Sequence, residues 1–588
     1  MDPTRIVEEF PAPSFRGAQR RALRDVRSAF EAGNRVVLVR APTGSGKSLI
    51  ARAIAGCARR DGEGAPARPT GAYYTTPQVS QLDDVAGDAL LEDLSIVRGK
   101  PNYTCILPGD TSTPVNRAPC SRERGFECPV KHRCPYFSDR TIASNGPIAA
   151  MTLAYFMQTA GSEVFGERDA AVIDEAHGLA EWAEMYATIE LSPSSVPVWE
   201  ACRPPAIDDI DDVEPYAERL LDTCERRQEE LRGRVELTGS EAEERDRLAE
   251  LIRELRWFLE DVRDPDSPTV WVADRSDRGT SEDRGGAVSI KPLDPARYLH
   301  HTVWDRGERF ALLSATILDK DAFCRAAGLD PETVALVDVP HTFPVENRPL
   351  YDVTRGKMTY ERRDETLPKV AETVVRLMAK HDDEKGLVHA HSYAIAERLV
   401  ALLEASGVGA RVRSHDSDTR DAALSDWKRS DDPAVFVSVK MEEALDLAGD
   451  LCRWQVLCKA PFPNTNDPAV EKRLENGQWG WYYRTTLRTV IQACGRIVRA
   501  PEDHGATYLA DRSLLDLFER ARSDMPPWFR EAVDRLSAPE LPPFDPERAV
   551  EAANASGGSR AGTGTGTGTD ATDRIDDHPL SDVWGEGS

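Results

Sequence analysis

The sequence predicts an α/β protein with two parallel sheets and two insertions. Four apolar residues, Val36–Val39, have the character of a buried strand, which leads into a glycine-rich loop and then a helical pattern. From about residue 346 onward, strand-like runs such as 386–390 alternate with helical stretches, which is typical of a second parallel sheet. Residues 100–140 and 190–300 interrupt this alternation and are therefore predicted to be insertions.

The loop after the first strand has the composition of a phosphate-binding loop. Its residues are Ala41, Pro42, Thr43, Gly44, Ser45, Gly46, Lys47 and Ser48. The glycines allow backbone N–H groups to surround phosphate oxygens, and the N-terminus of the following helix adds positive potential. Lys47 would reach the β- and γ-phosphates of a bound ligand, and the Ser48 hydroxyl would ligate Mg²⁺. The alternative is a glycine-rich turn that binds no ligand.

Residues 100–140 lack helical or strand periodicity and are rich in Pro, Gly and Cys. Four cysteines, Cys105, Cys120, Cys128 and Cys134, lie close together in this stretch, which suggests a module held by something other than a hydrophobic core. In a reducing compartment, clustered thiols bind metal more often than they form disulfides. Four thiolates suit either Zn²⁺ or an iron–sulfur cluster, and their spacing does not separate the two.

An acidic motif, Asp174-Glu175-Ala176-His177, follows a second buried strand at 170–173. Next to a phosphate loop, Asp174 would hold Mg²⁺ through water and Glu175 would position and activate the attacking water. The alternative is a solvated acidic turn. Farther on, apolar residues between 248 and 262 recur at helical spacing among Glu and Arg, which predicts an amphipathic helix.

In the second α/β block, Gln492, Arg496 and Arg499 are spaced at i, i+4 and i+7, which would place them on one helical face. Guanidinium groups that face a phosphate stabilise the charge of the transition state, so the two arginines are candidate arginine fingers. A solvated helix face is the alternative. Past residue 546 the chain is rich in Ala, Gly, Ser and Asp and contains a GTGTGTGT run, a composition typical of disorder.

The chain of 588 residues has 100 acidic and 74 basic residues, which gives a net charge of −26. Only 13 of the basic residues are lysine. This acidic, arginine-rich composition predicts a halophilic host, which we expect to be an archaeon. It argues against a broadly basic surface for nucleic acid but is compatible with a local basic groove. Nothing resembles a signal peptide or a membrane span, so we expect a cytoplasmic protein.

Taken together, the motifs resemble those of the superfamily 2 helicases. In chain order they are the phosphate loop, Thr75-Thr76-Pro77, Asp174-Glu175-Ala176-His177, Ser314-Ala315-Thr316 and Gln492-Ala493-Cys494-Gly495-Arg496-Ile497-Val498-Arg499. More narrowly, the chain resembles the XPD/DinG family of iron–sulfur helicases over about residues 10–540. Supporting stretches are His341-Thr342-Phe343-Pro344, Ala460-Pro461-Phe462-Pro463 and Trp481-Tyr482-Tyr483.

The resemblance implies roles for further residues. Gln19 and Asp446 would take part in binding ATP, and His177 would join the catalytic set. The four cysteines lie where this family inserts its cluster domain, which favours a 4Fe–4S cluster over Zn²⁺. Ala444 stands where the family usually has glycine, and the cysteine spacing C-x14-C-x7-C-x5-C differs from that of the more familiar members.

The resemblance also implies the domain organisation. It comprises a first RecA-like motor domain at 1–99 with 141–189 and 300–345, a four-cysteine module at 100–140, a mostly helical Arch insertion at 190–299 and a second RecA-like motor domain at 346–545. The disordered tail at 546–588 is predicted from its composition instead. ATP would bind in a cleft between the motor domains, with the second domain supplying Gln492, Arg496 and Arg499.

The function implied is that of an ATP-dependent helicase that moves 5′→3′ on single-stranded DNA and opens forked duplexes in DNA repair. We expect a monomer whose protein partners belong to repair or transcription. Tyr103, Tyr136 and Phe137 would stack on bases, or would lie in the core or shield the cluster. The alternative function is a DNA-stimulated translocase or remodelling ATPase that carries structural zinc. A non-enzymatic binding module is poorly compatible with Lys47 and Glu175.

Overall fold

The computed structural model describes residues 1–59, 70–122, 126–162, 164–205, 207, 210–234, 237–265, 267, 269–276, 287–439, 447 and 449–550. It forms two units. The first consists of Met1–Thr342 with Asp467–Gly477, and the second of Phe343–Asn466 with the chain from Gln478 onward. Both contain a parallel sheet with helices, so the predicted fold class, two RecA-like α/β domains, is confirmed.

The strands described in the first unit are β1 (Val36–Arg40), β2 (Ala72–Thr76), β3 (Ser95–Ile96), β4 (Ile148–Thr152), β5 (Arg168–Ile173), β6 (Ile189–Leu191), β7 (Trp271–Ser276), β8 (Ala287–Pro292), β9 (Gly307–Ser314) and β10 (Val334–Asp338). Seven of them form a parallel sheet in the order β10-β1-β9-β5-β2-β4-β3. The remaining three form a separate antiparallel sheet in the order β6-β8-β7.

The first sheet is apolar on both faces. Val36 and Leu38 of β1 join one hydrophobic cluster, and Val37 and Val39 join another. Successive side chains of a strand point to opposite faces, so this division means that helices cover the sheet on both sides. The helices described in this part are α1 (Gln19–Glu31), α2 (Lys47–Ala55), α3 (Val79–Gly87), α4 (Pro119–Arg122), α5 (Pro135–Asn145), α6 (Leu153–Gln158), α7 (Leu179–Ala187), α8 (Ile210–Arg232), α9 (Gly239–Arg263), α10 (Ala296–Thr302) and α11 (Lys320–Ala326).

The larger insertion consists of the long helices α8 and α9, which pack on each other, and the sheet β6-β8-β7. Helix α9 begins with a capping box in which Thr238 and Glu241 bond each other's backbone N–H groups. Leu248, Leu255 and Phe258 are buried, as the helical periodicity predicts, whereas Val262 at the end of the stripe is exposed. Helix α4 of the cysteine module contacts α9, so the two insertions touch within the first unit.

The second unit contains the strands β11 (Leu350–Gly356), β12 (Gly386–His389), β13 (Val412–Arg413), β14 (Val435–Ser438), β15 (Trp454–Leu457) and β16 (Ala506–Asp511). They form a parallel sheet in the order β11-β16-β15-β12-β14-β13. The remaining helices are α12 (Arg363–Lys380), α13 (Tyr393–Ala405), α14 (Arg420–Arg429), α15 (Pro468–Glu475), α16 (Trp479–Cys494), α17 (Arg512–Arg520) and α18 (Pro527–Asp534). Of these, α15 groups with the first unit, although the sequence places it within the second domain.

The described part of the second unit includes residues 546–550, which lie beyond the predicted start of the tail at 546. Residues 546–550 are helical, and Ala549 is fully buried. The buried Arg411 donates hydrogen bonds to the carbonyl oxygens of Ala549 at 2.6 Å and Met378 at 2.9 Å. These bonds anchor the segment on α12. Residues 551–588, the rest of the predicted tail, lie outside the described residues.

Across the described ranges, we find no helix that has both the length and the apolar character required to cross a bilayer.

Candidate nucleotide site and cysteine module

Four of the predicted motifs lie at the carboxyl ends of four neighbouring strands. The phosphate loop follows β1, Ser314 ends β9, Asp174 follows β5 and Thr76 ends β2. These strands are adjacent in the order β1-β9-β5-β2. The ladder continues past the strands, because Ala41 N–H donates to Ser314 O at 2.9 Å and Asp174 N–H donates to Thr75 O at 3.0 Å. In parallel sheets this edge is where ligands bind.

The phosphate loop is held in a conformation that favours glycine. Gly44 and Gly46 have φ angles of +77° and +76°, which side-chain-bearing residues adopt only with strain. The Ser45 hydroxyl donates to Pro42 O at 2.6 Å and closes the turn. Gln19 Nε2 donates to Ser45 O at 3.1 Å, so the structure brings this residue from α1 to the loop.

The catalytic candidates of the first unit converge at this loop. Lys47 and Ser48 open helix α2, whose N-terminus provides positive potential for an anion. Lys47 Nζ lies 2.9 Å from Glu175 Oε1. His177 Nδ1 lies 3.4 Å from Glu175 Oε2 and 2.9 Å from Ser314 Oγ. One carboxylate therefore contacts both the phosphate-loop lysine and the histidine of the acidic motif.

Ser314 and Thr316 belong to the site, although their motif alone predicts no specific role for either residue. Ser314 Oγ donates to Glu175 Oε2 at 3.5 Å and accepts from Thr316 N–H at 3.1 Å. Both side chains are at most 3% exposed. The sequence shows that both residues lie at the end of a buried strand. It does not show that this strand is next to the one that ends at Asp174, so it could not place them beside Glu175.

The pKa values of the two acidic residues are shifted in opposite directions. Burial, and next the charge of Glu175, raises the pKa of Asp174 to about 6. Burial also opposes ionisation of Glu175, but the Lys47 ammonium and the His177 ring outweigh it, so the pKa of Glu175 lies well below its usual value. Glu175 also has φ +48°, an uncommon conformation for a residue with a side chain. The site therefore holds Glu175 as a carboxylate.

The oxygen donors of this site suit Mg²⁺. The Ser48 hydroxyl and the Asp174 carboxylate are hard oxygen ligands, which Mg²⁺ prefers together with water and phosphate. Asp174 Oδ1 accepts a hydrogen bond from Glu175 N–H at 2.9 Å, which fixes the carboxylate at the end of β5.

The arginine motif of the second unit differs from the sequence-based expectation. Helix α16 ends at Cys494 with Gly495 as its C-cap, so Gln492 lies on the helix, whereas Arg496 and Arg499 follow it. The predicted single helical face is therefore wrong. Ile497 and Val498 are buried in the hydrophobic core, so their packing, rather than a continued helix, sets the path of the chain after the C-cap. The roles of Gln492, Arg496 and Arg499 stay predictions, and Asp446 and Ala444 lie outside the described residues.

In the cysteine module, Cys128 and Cys105 lie near enough to Cys120 to affect the pKa of its thiol. Cys105 and Cys134 are buried, and Cys120 and Cys128 are partly exposed. Burial raises the pKa of the Cys120 thiol, and the neighbouring thiols of Cys128 and Cys105 raise it further. Leu107 N–H donates to Cys105 Sγ at 3.4 Å, the type of hydrogen bond that stabilises a metal-bound thiolate. This set of soft ligands fits an iron–sulfur cluster or zinc.

The aromatic residues of the module lie in the hydrophobic core or pack against it. Tyr103 and Tyr136 are buried and stack edge to face with a centroid distance of 5.6 Å. Tyr103 OH donates to Asp139, and Tyr136 OH shares a hydrogen bond with Tyr155 OH. Phe137 packs against the same core. For the two tyrosines, the core alternative is therefore the one that the structure supports.

A family model and solved structures both match this chain. Residues 374–532 match the model of a helicase C-terminal domain. The fold matches S. tokodaii Xpd4 with a TM-score of 0.52 and 16% identity, covering 89% of this chain and all of that one. It matches an XPD helicase structure with a TM-score of 0.54 and 17% identity, covering 89% of this chain and 98% of that one.

Curated relatives match over shorter stretches. Regulator of telomere elongation helicase 1 of Homo sapiens is 31% identical over 118 residues, which are 17% of this chain and 10% of the relative. The Drosophila sechellia homolog of that protein is 31% identical over 192 residues, which are 27% of this chain and 19% of the relative. The chain thus covers less than a fifth of the length of these relatives. The family model and these curated relatives are those of helicases, which is the class of protein that the motifs predict.

Proposed function

We propose that the chain, which resembles the XPD/DinG superfamily 2 helicases in its motifs and XPD structures in its fold, is an ATP-dependent DNA helicase acting in DNA repair. In this proposal it moves 5′→3′ on single-stranded DNA and separates duplex ahead of it. The observation that carries the proposal is the meeting of the phosphate loop, Asp174, Glu175 and Ser314 at one edge of the first sheet. This constellation suits hydrolysis of a nucleoside triphosphate.

Each residue of the site has a chemical role in the proposal. Lys47 and the backbone N–H groups of the loop would bind the phosphates, while Ser48 and Asp174 would hold Mg²⁺. When bound, Mg²⁺ would neutralise charge on the β- and γ-phosphates. Glu175, kept ionised by Lys47 and His177, would orient the attacking water and accept its proton.

The second unit would complete the reaction. We expect Arg496 and Arg499 to stabilise the charge that develops on the transferred phosphoryl group, with Gln492 beside them. Their contribution would couple ATP hydrolysis to motion of one unit against the other, which is how such a motor would step along a strand. The expected track is single-stranded DNA, and forked DNA is the expected substrate for unwinding.

The proposal is tested by strand displacement on duplexes with a 5′ or a 3′ single-stranded tail, one strand labelled, in high salt. We expect ATP-dependent release from the 5′-tailed duplex and little from the 3′-tailed one. Release from the 3′ tail alone would reverse the proposed polarity. ATP turnover without strand release would instead support the alternative, a DNA-stimulated translocase or remodelling ATPase.

The cysteine module leads to a separate prediction. We propose that Cys105, Cys120, Cys128 and Cys134 hold a 4Fe–4S cluster, so the purified protein should be brown, with about four irons per chain. Cys120→Ser should remove the colour and most of the iron. Cys224→Ser changes a buried cysteine outside the module and is the matched control that should keep both. A colourless wild-type protein with stoichiometric zinc would overturn the cluster assignment in favour of a zinc site.

A further inference from the structure

Three buried polar side chains lie on adjacent strands of the second unit. His389 ends β12, Gln455 lies on β15 and Thr507 lies on β16, and the sheet places these strands side by side. His389 and Gln455 are 0% exposed and Thr507 is 3% exposed. Buried polar groups cost stability unless they are paired, so their hydrogen bonds indicate what they are for.

The hydrogen bonds run from His389 to the end of helix α16. Gln455 Nε2 donates to Ala493 O at 3.0 Å and to Thr507 Oγ1 at 2.8 Å. A carbonyl only accepts, so this contact fixes the amide with its nitrogen toward α16. Gln455 Oε1 then faces His389 Nε2 at 3.0 Å and must accept from it. His389 therefore carries its proton on Nε2.

The protonation state of His389 agrees with this arrangement. Burial lowers the pKa of His389 to about 4, so the ring is neutral at neutral pH and has a single N–H. Within the described part of the chain, Nδ1 has no hydrogen-bond partner. An apolar ring would fill the same space without this penalty, so packing alone does not explain a histidine here.

The chain of bonds ends beside the arginine motif. Ala493 lies in the last turn of α16, where carbonyl groups run out of intrahelical donors, and Arg496 follows three residues later. Arg496 is also close enough for its charge to contribute to the low pKa of His389. The hydrogen bond from Gln455 therefore holds the Ala493 carbonyl in place, and with it the backbone that leads to Arg496.

We propose that His389, acting through Gln455, is a positioning residue for Arg496 in the ATPase reaction. The inference rests on the proposed function, because it assigns Arg496 a part in hydrolysis. A displacement of about 1 Å at a catalytic group can cost on the order of a hundredfold in rate, so a support of this kind affects turnover more than substrate binding.

The test compares two substitutions at position 389 in the full-length protein. His389→Gln places an amide N–H close to where the imidazole Nε2–H lies, whereas His389→Phe fills the space without a donor. We expect His389→Phe to lower kcat for DNA-stimulated ATP hydrolysis about tenfold or more with KM for ATP changed less than about twofold. The separate variant His389→Gln should keep kcat within about threefold of the wild-type value. Thr373→Val, which removes another buried hydroxyl of this unit, should leave kcat unchanged.

A double-mutant cycle shows whether the effect passes through Arg496. In an Arg496→Ala background, measured in single turnovers, His389→Phe should cause little further loss. An equal loss in both backgrounds, or a His389→Phe protein with wild-type kcat, would overturn the inference. A lower melting temperature with unchanged kcat would mean that the network serves stability alone. A wild-type protein without ATPase activity would refute the proposed function instead.

Discussion

Replacing Lys47 by alanine is expected to lower DNA-stimulated ATP turnover by at least about a hundredfold and to weaken ATP binding. The reason is that Lys47 is the cation at the phosphate loop, held at the first position of α2 and 2.9 Å from Glu175. Its ammonium would contact phosphate oxygens in both the ground state and the transition state. The measurements are steady-state ATPase kinetics and equilibrium binding of a labelled ATP analogue.

The matched control is Lys320→Ala, because Lys320 also occupies the first position of a helix, α11, in the same unit. It lies outside the proposed site and should keep turnover within about twofold of wild type. Single-stranded DNA binding should remain measurable in both variants. Full ATPase activity of Lys47→Ala would show that the nucleotide site has been misassigned.

The second large effect is expected for Glu175→Gln. Loss of the carboxylate removes the group that would accept a proton from water, so kcat should fall by about 10²- to 10⁴-fold. ATP binding should not weaken. The substitution removes the ion pair between Lys47 and Glu175, so the Lys47 ammonium can interact with phosphate instead. This separates the two variants, since Lys47→Ala should impair both binding and turnover.

Glu308→Gln is the matched control for this carboxylate. Glu308 is also paired with a basic residue, in its case Arg59, but it lies at the start of β9, whereas the site is at the other end of that strand. The measurements are single-turnover hydrolysis and the dissociation constant of ATP. A Glu175→Gln protein that retains more than about a tenth of the wild-type kcat would exclude Glu175 as the group that activates water.

The arginine motif shows where reasoning from sequence spacing failed. The spacing of Gln492, Arg496 and Arg499 matches a helical face only if the helix continues through all three residues. Gly495 ends α16, and Ile497 and Val498 turn into the core instead. Helix ends depend on which apolar residues find a buried partner, and spacing alone does not contain that information.

The sequence also does not show which aromatic residues of the cysteine module are buried. Tyr103 and Tyr136 beside a candidate cluster could stack on bases or fill a core, and the sequence left both readings open. Their burial and their hydrogen bonds to Asp139 and Tyr155 support the second. Whether a side chain is covered depends on neighbours distant in sequence, such as Tyr155 of α6.

The sequence by itself determined the phosphate loop after Val36–Val39, the acidic motif after a buried strand and the α/β class, because each depends on local periodicity and short-range residue chemistry. Only the tertiary structure decided which motifs meet. Strand order places β9 between β1 and β5, and thereby brings Ser314 to Glu175 and His177 across more than a hundred residues of chain. Pairing between distant strands is a property of the whole fold, so the His389–Gln455 support of the arginine motif was also visible only there.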